Sequence, residues 1–166
     1  METERLKKIL SEQEFAARLP AKMLEQLADA SRLREVPAGS TLFKEGSQSD
    51  DLYLIVEGQV VLDINFPGRG NVRILTLGAG DMVGWSALLG AGPMTTTAVA
   101  VTETRAVVAP GKKLLELCES DHEAGYQLMH RMAVALSRRL VATRLQLLDL
   151  FSDDPPKLSS EIEVSR

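Results

Sequence analysis

The sequence predicts a mainly β domain, a sandwich, roll or barrel, with helices at both ends of the chain. Three observations carry that prediction. From Arg34 to Ala109 short apolar runs alternate with turn signals, roughly every eight to twelve residues, the rhythm of an all-β core. On either side of that stretch the apolar spacing becomes three and four, which is helical. The 166 residues, 45% apolar and 25% charged, suffice for one domain with a core of its own.

The elements follow in order. Residues 1–33 read as helical: Phe15, Leu19, Met23, Leu24, Leu27 and Ala28 recur at three- and four-residue spacings. Pro20 divides them into two short helices and suits the first turn of the second. Residues 34–109 read as strands. "LREVPAGSTLFKEG" places two around a Pro37–Gly39 turn. "DLYLIVEGQVVLDI" gives two apolar runs broken at Glu57 and Gly58, which predicts a hairpin. "GRGNVRILTLG" supplies a loop and a strand, with Val72 and Ile74 on one face and Leu75 and Leu77 on the other. "TTTAVAVTETRAVVAP" gives two more strands around Thr102–Thr104. Residues 110–151 return to helix. Pro110 opens a short one, and Ser120 or Asp121 is positioned to cap a long one ending near Phe151. Pro155 and Pro156 stop any helix, and 152–166 reads as a polar, flexible tail.

Charge and composition remove several classes of function. Net charge is −4 and the pI about 5.3, whereas a chain-wide nucleic-acid footprint is basic. The single cysteine, Cys118, permits no internal disulfide, in keeping with a reducing compartment. The charged start "METERLKKIL" has no apolar signal region, and no run approaches the ~18 apolar residues of a membrane span. A cytoplasmic chain with no membrane contact is the expectation. His122 and His130 are eight residues apart on one helix, about 12 Å, too far to share a metal. No G-x-S-x-G, no Walker loop and no convincing Cys–His pair is present. We expect no enzyme and no metal site.

The long helix carries a seam. Met129, Ala133, Leu136, Leu140, Thr143, Leu147 and Leu150 are spaced alternately by four and three, a heptad pattern. Leu128, Val141, Leu145 and Leu148 form a second stripe. One face is expected to cover the β core and the other to meet a partner. Arg131, Arg138, Arg139 and Arg144 read as solvated positions.

Glycines at 80, 84, 90 and 92, with Trp85 and the run Thr95–Thr97, mark "GDMVGWSALLGAGPMTTTAVAV" as backbone able to wrap closely around something small. This stretch, with "VPAGSTLFKEG", "DLYLIVEGQVVL" and "RMAVALSRRL", resembles the cyclic nucleotide-binding domain family of the Crp/Fnr type. The resemblance spans roughly residues 10–150. It implies a double-stranded β-helix, a jelly-roll-like β-roll, over residues 34–109 of a 1–151 domain. It also implies a homodimer formed through the long C-terminal helix, and a cyclic nucleotide, cAMP or cGMP, as the ligand class.

In that family a short helix after a glycine turns its free N–H groups to the cyclic phosphate. A glutamate next to the glycine takes the ribose, and an arginine about ten residues on pairs with the phosphate. Here Gly84 and Ser86 keep the backbone part, while the glutamate position is Trp85 and the arginine position is Thr95, or Thr96. Gly84, Trp85, Ser86, Thr95, Thr96 and Thr97 are therefore the candidate pocket. Thr143 matches a position that reaches across the family's dimer to the bound base. Losing a charge-assisted contact costs about 1.5–3 kcal/mol.

The expectation is a regulatory or sensory module with a degenerate or altered ligand pocket, and no cofactor is assigned. The alternatives are an interaction scaffold that docks on a protein partner, and a weak cyclic nucleotide binder. A pocket filled by Trp85 and Met94 favours the scaffold. The family's winged helix-turn-helix needs about 60–80 residues, and fifteen follow Phe151. Direct DNA binding by this chain is not expected.

Overall fold

The computed structural model describes residues 1–90 and 92–151, the last two by their backbone. The tail assigned to 152–166 lies outside the described residues. Helices α1 (Glu2–Ser11) and α2 (Ala21–Ala30) come first, with Pro20 at the N-cap of the second. Eight strands follow: β1 (Arg32–Val36), β2 (Thr41–Phe43), β3 (Asp51–Glu57), β4 (Val60–Phe66), β5 (Gly70–Leu77), β6 (Met82–Val83), β7 (Thr97–Ala100) and β8 (Thr104–Pro110). A five-residue helix α3 (Trp85–Leu89) sits between β6 and β7, and α4 (Gly111–Ser120) and α5 (His122–Phe151) close the order. The strand register reaches back to Arg32, which pairs with Val108, so the first strand begins inside the segment read as helical.

The strands form two antiparallel four-stranded sheets, β1-β8-β3-β6 and β2-β7-β4-β5. This is the β-roll, with helices flanking it. The expected hairpin at Glu57–Gly58 is absent: β3 and β4 belong to different sheets. The ribbon 51–66 pairs along its length with the ribbon 97–110, β3 with β8 and β4 with β7. The chain turns a corner at Gly58 and passes from one sheet to the other. The corner is fixed across the ribbon: Gln59 N–H donates to Thr102 Oγ1 at 2.9 Å and Val101 N–H to the Gln59 carbonyl at 2.9 Å. Donors and acceptors of the bend are thus satisfied by the facing ribbon rather than by a turn of its own. The true hairpin joins β4 to β5, with Phe66 opposite Gly70.

Two cores lie on the two faces of the β3/β8 sheet. Tyr53, Ile55, Ala106 and Val108 point into the roll with Leu62, Leu75, Leu77 and Val83. Their alternates Leu52, Leu54, Val107 and Ala109 face a helical layer built on Leu6, Leu10, Met23, Leu114, Leu128 and Met132. A strand buried on both faces reads as a continuous apolar run, which is why "DLYLIV" shows no alternation. Asp121 begins α5: its Oδ1 accepts from Ala124 N–H at 3.1 Å, the bond of an N-cap.

Candidate functional site

The glycine-rich stretch is held to β3. Gly80 N–H donates to the Ile55 carbonyl at 2.8 Å and Ile55 N–H to the Asp81 carbonyl at 2.9 Å. Asp81 Oδ2 accepts from Gly78 N–H at 2.9 Å and closes the turn. β6 then pairs with Tyr53 and Leu54. Gly84, the N-cap of α3, has φ +94°, and a Cβ there would lie 2.6 Å from the Asp51 carbonyl oxygen. Left-handed backbone and close approach both require glycine.

The candidate side chains differ in burial and in partners. Ser86 is half-buried on α3. Thr95 is exposed and Thr96 half-buried. Thr97 opposes Asp63 on β4, and its Oγ1 accepts from Glu45 N–H at 3.0 Å. Thr143 Oγ1 donates to the Arg139 carbonyl at 2.9 Å, a bond to its own helix one turn back. Met94, next to the threonines, is 4% exposed and belongs to the roll interior with Phe43, Tyr53 and Val83. Trp85 goes the other way. It is half-buried against the helical layer, and its indole Nε1 is buried without an acceptor.

Trp85 lines a groove of about 780 Å³ outside the roll. The groove lies between the end of β5, the Gly78–Met82 turn, the connection from α1 to α2, and α5. Thr95, Thr96, Thr97 and Thr143 are not among its walls.

The residue that sequence reasoning missed is Arg139. Its sequence position reads as solvated, but it is half-buried in this groove and its Nη1 donates to the Met82 carbonyl at 2.7 Å. Burial pushes its pKa below the usual arginine value, and the Asp81 carboxylate works in the opposite direction. The missed signal was spacing: Leu128, Met132, Ala135, Arg139 and Ala142 share the inward stripe of α5. Arg131 and Arg138 are tied to the helical connection instead, Arg131 Nη1 to the Glu14 carbonyl and Arg138 Nη1 to Glu14 Oε1, each at 3.4 Å. Arg73 and Arg105, the basic residues nearest the glycine-rich stretch in sequence, are engaged by Asp63 at 3.5 Å and Glu57 at 3.2 Å.

Among the described residues no group of three or more His, Cys, Asp or Glu is placed to hold a metal. No described helix is long and apolar enough to cross a membrane.

Comparison with known proteins agrees with this architecture. The chain is 34% identical over 130 residues to a CRP-like cAMP-activated global transcriptional regulator of Mycobacterium tuberculosis, which covers 77% of this chain and 56% of that protein. The chain thus spans about half the length of this curated relative. Among solved structures, a putative cyclic nucleotide-binding protein from Geobacter metallireducens is 31% identical, with a TM-score of 0.70 over 84% of this chain and 98% of that one. A cyclic nucleotide-binding domain from Methylobacillus flagellatus shares the fold, with a TM-score of 0.76 at 22% identity over 89% of this chain and 83% of that one. The family model for the cyclic nucleotide-binding domain matches residues 33–121, from the first strand through the glycine-rich cassette to the cap of the long helix. The chain belongs to the cyclic nucleotide-binding domain family and is of the Crp-like type.

Proposed function

We propose that this chain is a regulatory module of the cyclic nucleotide-binding fold whose ligand site is altered from the family's pattern. The carrying observation is the split of the cassette. The backbone bend at Gly84 is kept, while Trp85 turns to the groove outside the roll and Met94 is packed inside it. With Thr95 exposed where the family pattern has arginine, a cyclic phosphate in the roll would meet no guanidinium from that position. A missing charge-assisted contact weakens binding by roughly one to two decades. If the module senses a ligand, movement of the Gly80–Thr97 stretch would be passed to α5 through Arg139 and the Met82 carbonyl, since one hydrogen bond joins the two.

Calorimetric titration with cAMP and with cGMP tests the reading. No heat, or millimolar affinity, is the expected result. Micromolar binding of either nucleotide would overturn it and favour the second reading, an ordinary nucleotide sensor, to which the cAMP-activated relative points. The module is also proposed to act as a homodimer through α5, whose outer face carries exposed Leu140, Val141, Leu145, Leu147 and Leu148.

A further inference from the structure

The groove over α5 is unbalanced in charge. Four guanidinium groups line it, from Arg18, Arg131, Arg138 and Arg139, against the carboxylates of Glu14 and Asp81, in a chain of net charge −4. Both carboxylates have other work: Glu14 takes Arg138, and Asp81 closes its own turn. Arg139 has no carboxylate within ion-pair distance among the described residues, and its hydrogen bond there is the one to the Met82 carbonyl. A guanidinium offers five N–H donors, and no Arg139 nitrogen is buried without a partner, so those beyond the Met82 bond are open to the groove. Trp85, Leu77, Ala135 and Ala142 give the same groove apolar walls. The buried Trp85 N–H has no acceptor. It is closed to the groove as the ring stands, so it gains one only if the ring turns.

We propose that this groove binds a small molecule carrying one acidic group, carboxylate or phosphate, on a planar apolar body. Arg139 holds the acid and Trp85 is the wall against which the body lies. The proposal rests on the altered-site reading and moves anion recognition from the cassette inside the roll to a residue of α5 outside it. Occupancy neutralises Arg139 and draws the Trp85 ring toward the groove, which couples the ligand to both the cassette helix and α5.

Trp85 is the only tryptophan in the chain, so its fluorescence reports the site directly. The probes are benzoate and phenyl phosphate, which share a ring and differ in the acid, with benzyl alcohol as the neutral control. The expected result is a saturable change in Trp85 fluorescence with at least one of the acids and none with the alcohol, matched by calorimetric heat. Arg139→Gln should weaken that binding by roughly ten- to a hundredfold. Arg139→Lys, which keeps the charge and loses the fork, should fall between and serves as the variant to read if Arg139→Gln does not fold. Arg105→Gln, on β8, should leave it unchanged. Absence of saturable binding by both methods overturns the proposal, as does equal affinity in wild type and the Arg139 variants. The nucleotide calorimetry fails separately: micromolar cyclic nucleotide binding defeats the altered-site reading, whereas silence toward both acids and nucleotides defeats the groove alone.

Discussion

Gly39 and Gly58 both turn a ribbon of the roll from one sheet to the other, at φ +84° and +96°, yet their surroundings differ. A Cβ at Gly39 would meet nothing within 4 Å, while one at Gly58 would lie 2.5 Å from both the Glu103 carbonyl oxygen and Thr104 Oγ1. Left-handed backbone alone costs a side chain about 1–2 kcal/mol, and overpacking adds about 1–3 kcal/mol. Gly39→Ala should therefore lower stability in urea by about 1 kcal/mol, and Gly58→Ala by about 3 kcal/mol or more. Equal losses would mean that the Gly58 corner relaxes, and that the facing ribbon does not fix it. Legibility at this scale was uneven. Turns were readable at Gly39 and Gly58, both of which take positive φ, because turn chemistry is local. Arg139 was missed because the leucine stripes set the faces assigned to α5, although its spacing from Leu128, Met132 and Ala135 puts it on the inward stripe.

At the scale of elements, α5 divides along its length. Leu128 and Met132 are buried in the helical layer, whereas Leu140, Val141, Leu145, Leu147 and Leu148 are each at least 45% exposed. The sequence showed two apolar stripes on this helix and left one to cover the roll. In the structure the covering stripe passes through Ala135, Arg139 and Ala142, and Leu140, Val141, Leu145, Leu147 and Leu148, from both stripes, face outward. An exposed apolar face of this extent marks an interaction surface, and the heptad spacing of Leu140 and Leu147 fits a second copy of the same helix. Leu140→Glu with Leu147→Glu should convert a dimer to a monomer in sedimentation equilibrium, with far-UV CD unchanged because neither side chain is part of the core. A wild-type protein that sediments as a monomer at high micromolar concentration would remove α5 as the dimer interface. The sequence also misread β3 and β4 as a hairpin. Two adjacent apolar runs around a glycine look alike whether they pair with each other or each with a distant ribbon, and only the partners at 97–110 decide it.

For the molecule as a whole, the decisive feature is that two cores share one sheet. Leu54 and Ile55 are neighbours in sequence, but Leu54 belongs to the helical layer and Ile55 to the roll. The fold class was legible because strand rhythm and helical spacing occupy separate parts of the chain. The sharing was not, since it depends on which face of β3 and β8 the helices cover. A sheet buried on both sides cannot keep one core when the other is lost, because half the side chains of the same strands would be stripped to water. Unfolding should therefore be a single transition. Leu62 is 2% exposed in the roll and Leu128 1% exposed in the helical layer. Truncating either to alanine should cost about 2–5 kcal/mol. Both variants should move the same transition, with Trp85 fluorescence, which reports the helical side, coinciding with far-UV CD, which reports the whole chain. If Leu128→Ala separated the two probes, with fluorescence changing at lower denaturant than CD, the roll would be stable without its helical layer. The shared sheet would then join two units that unfold independently.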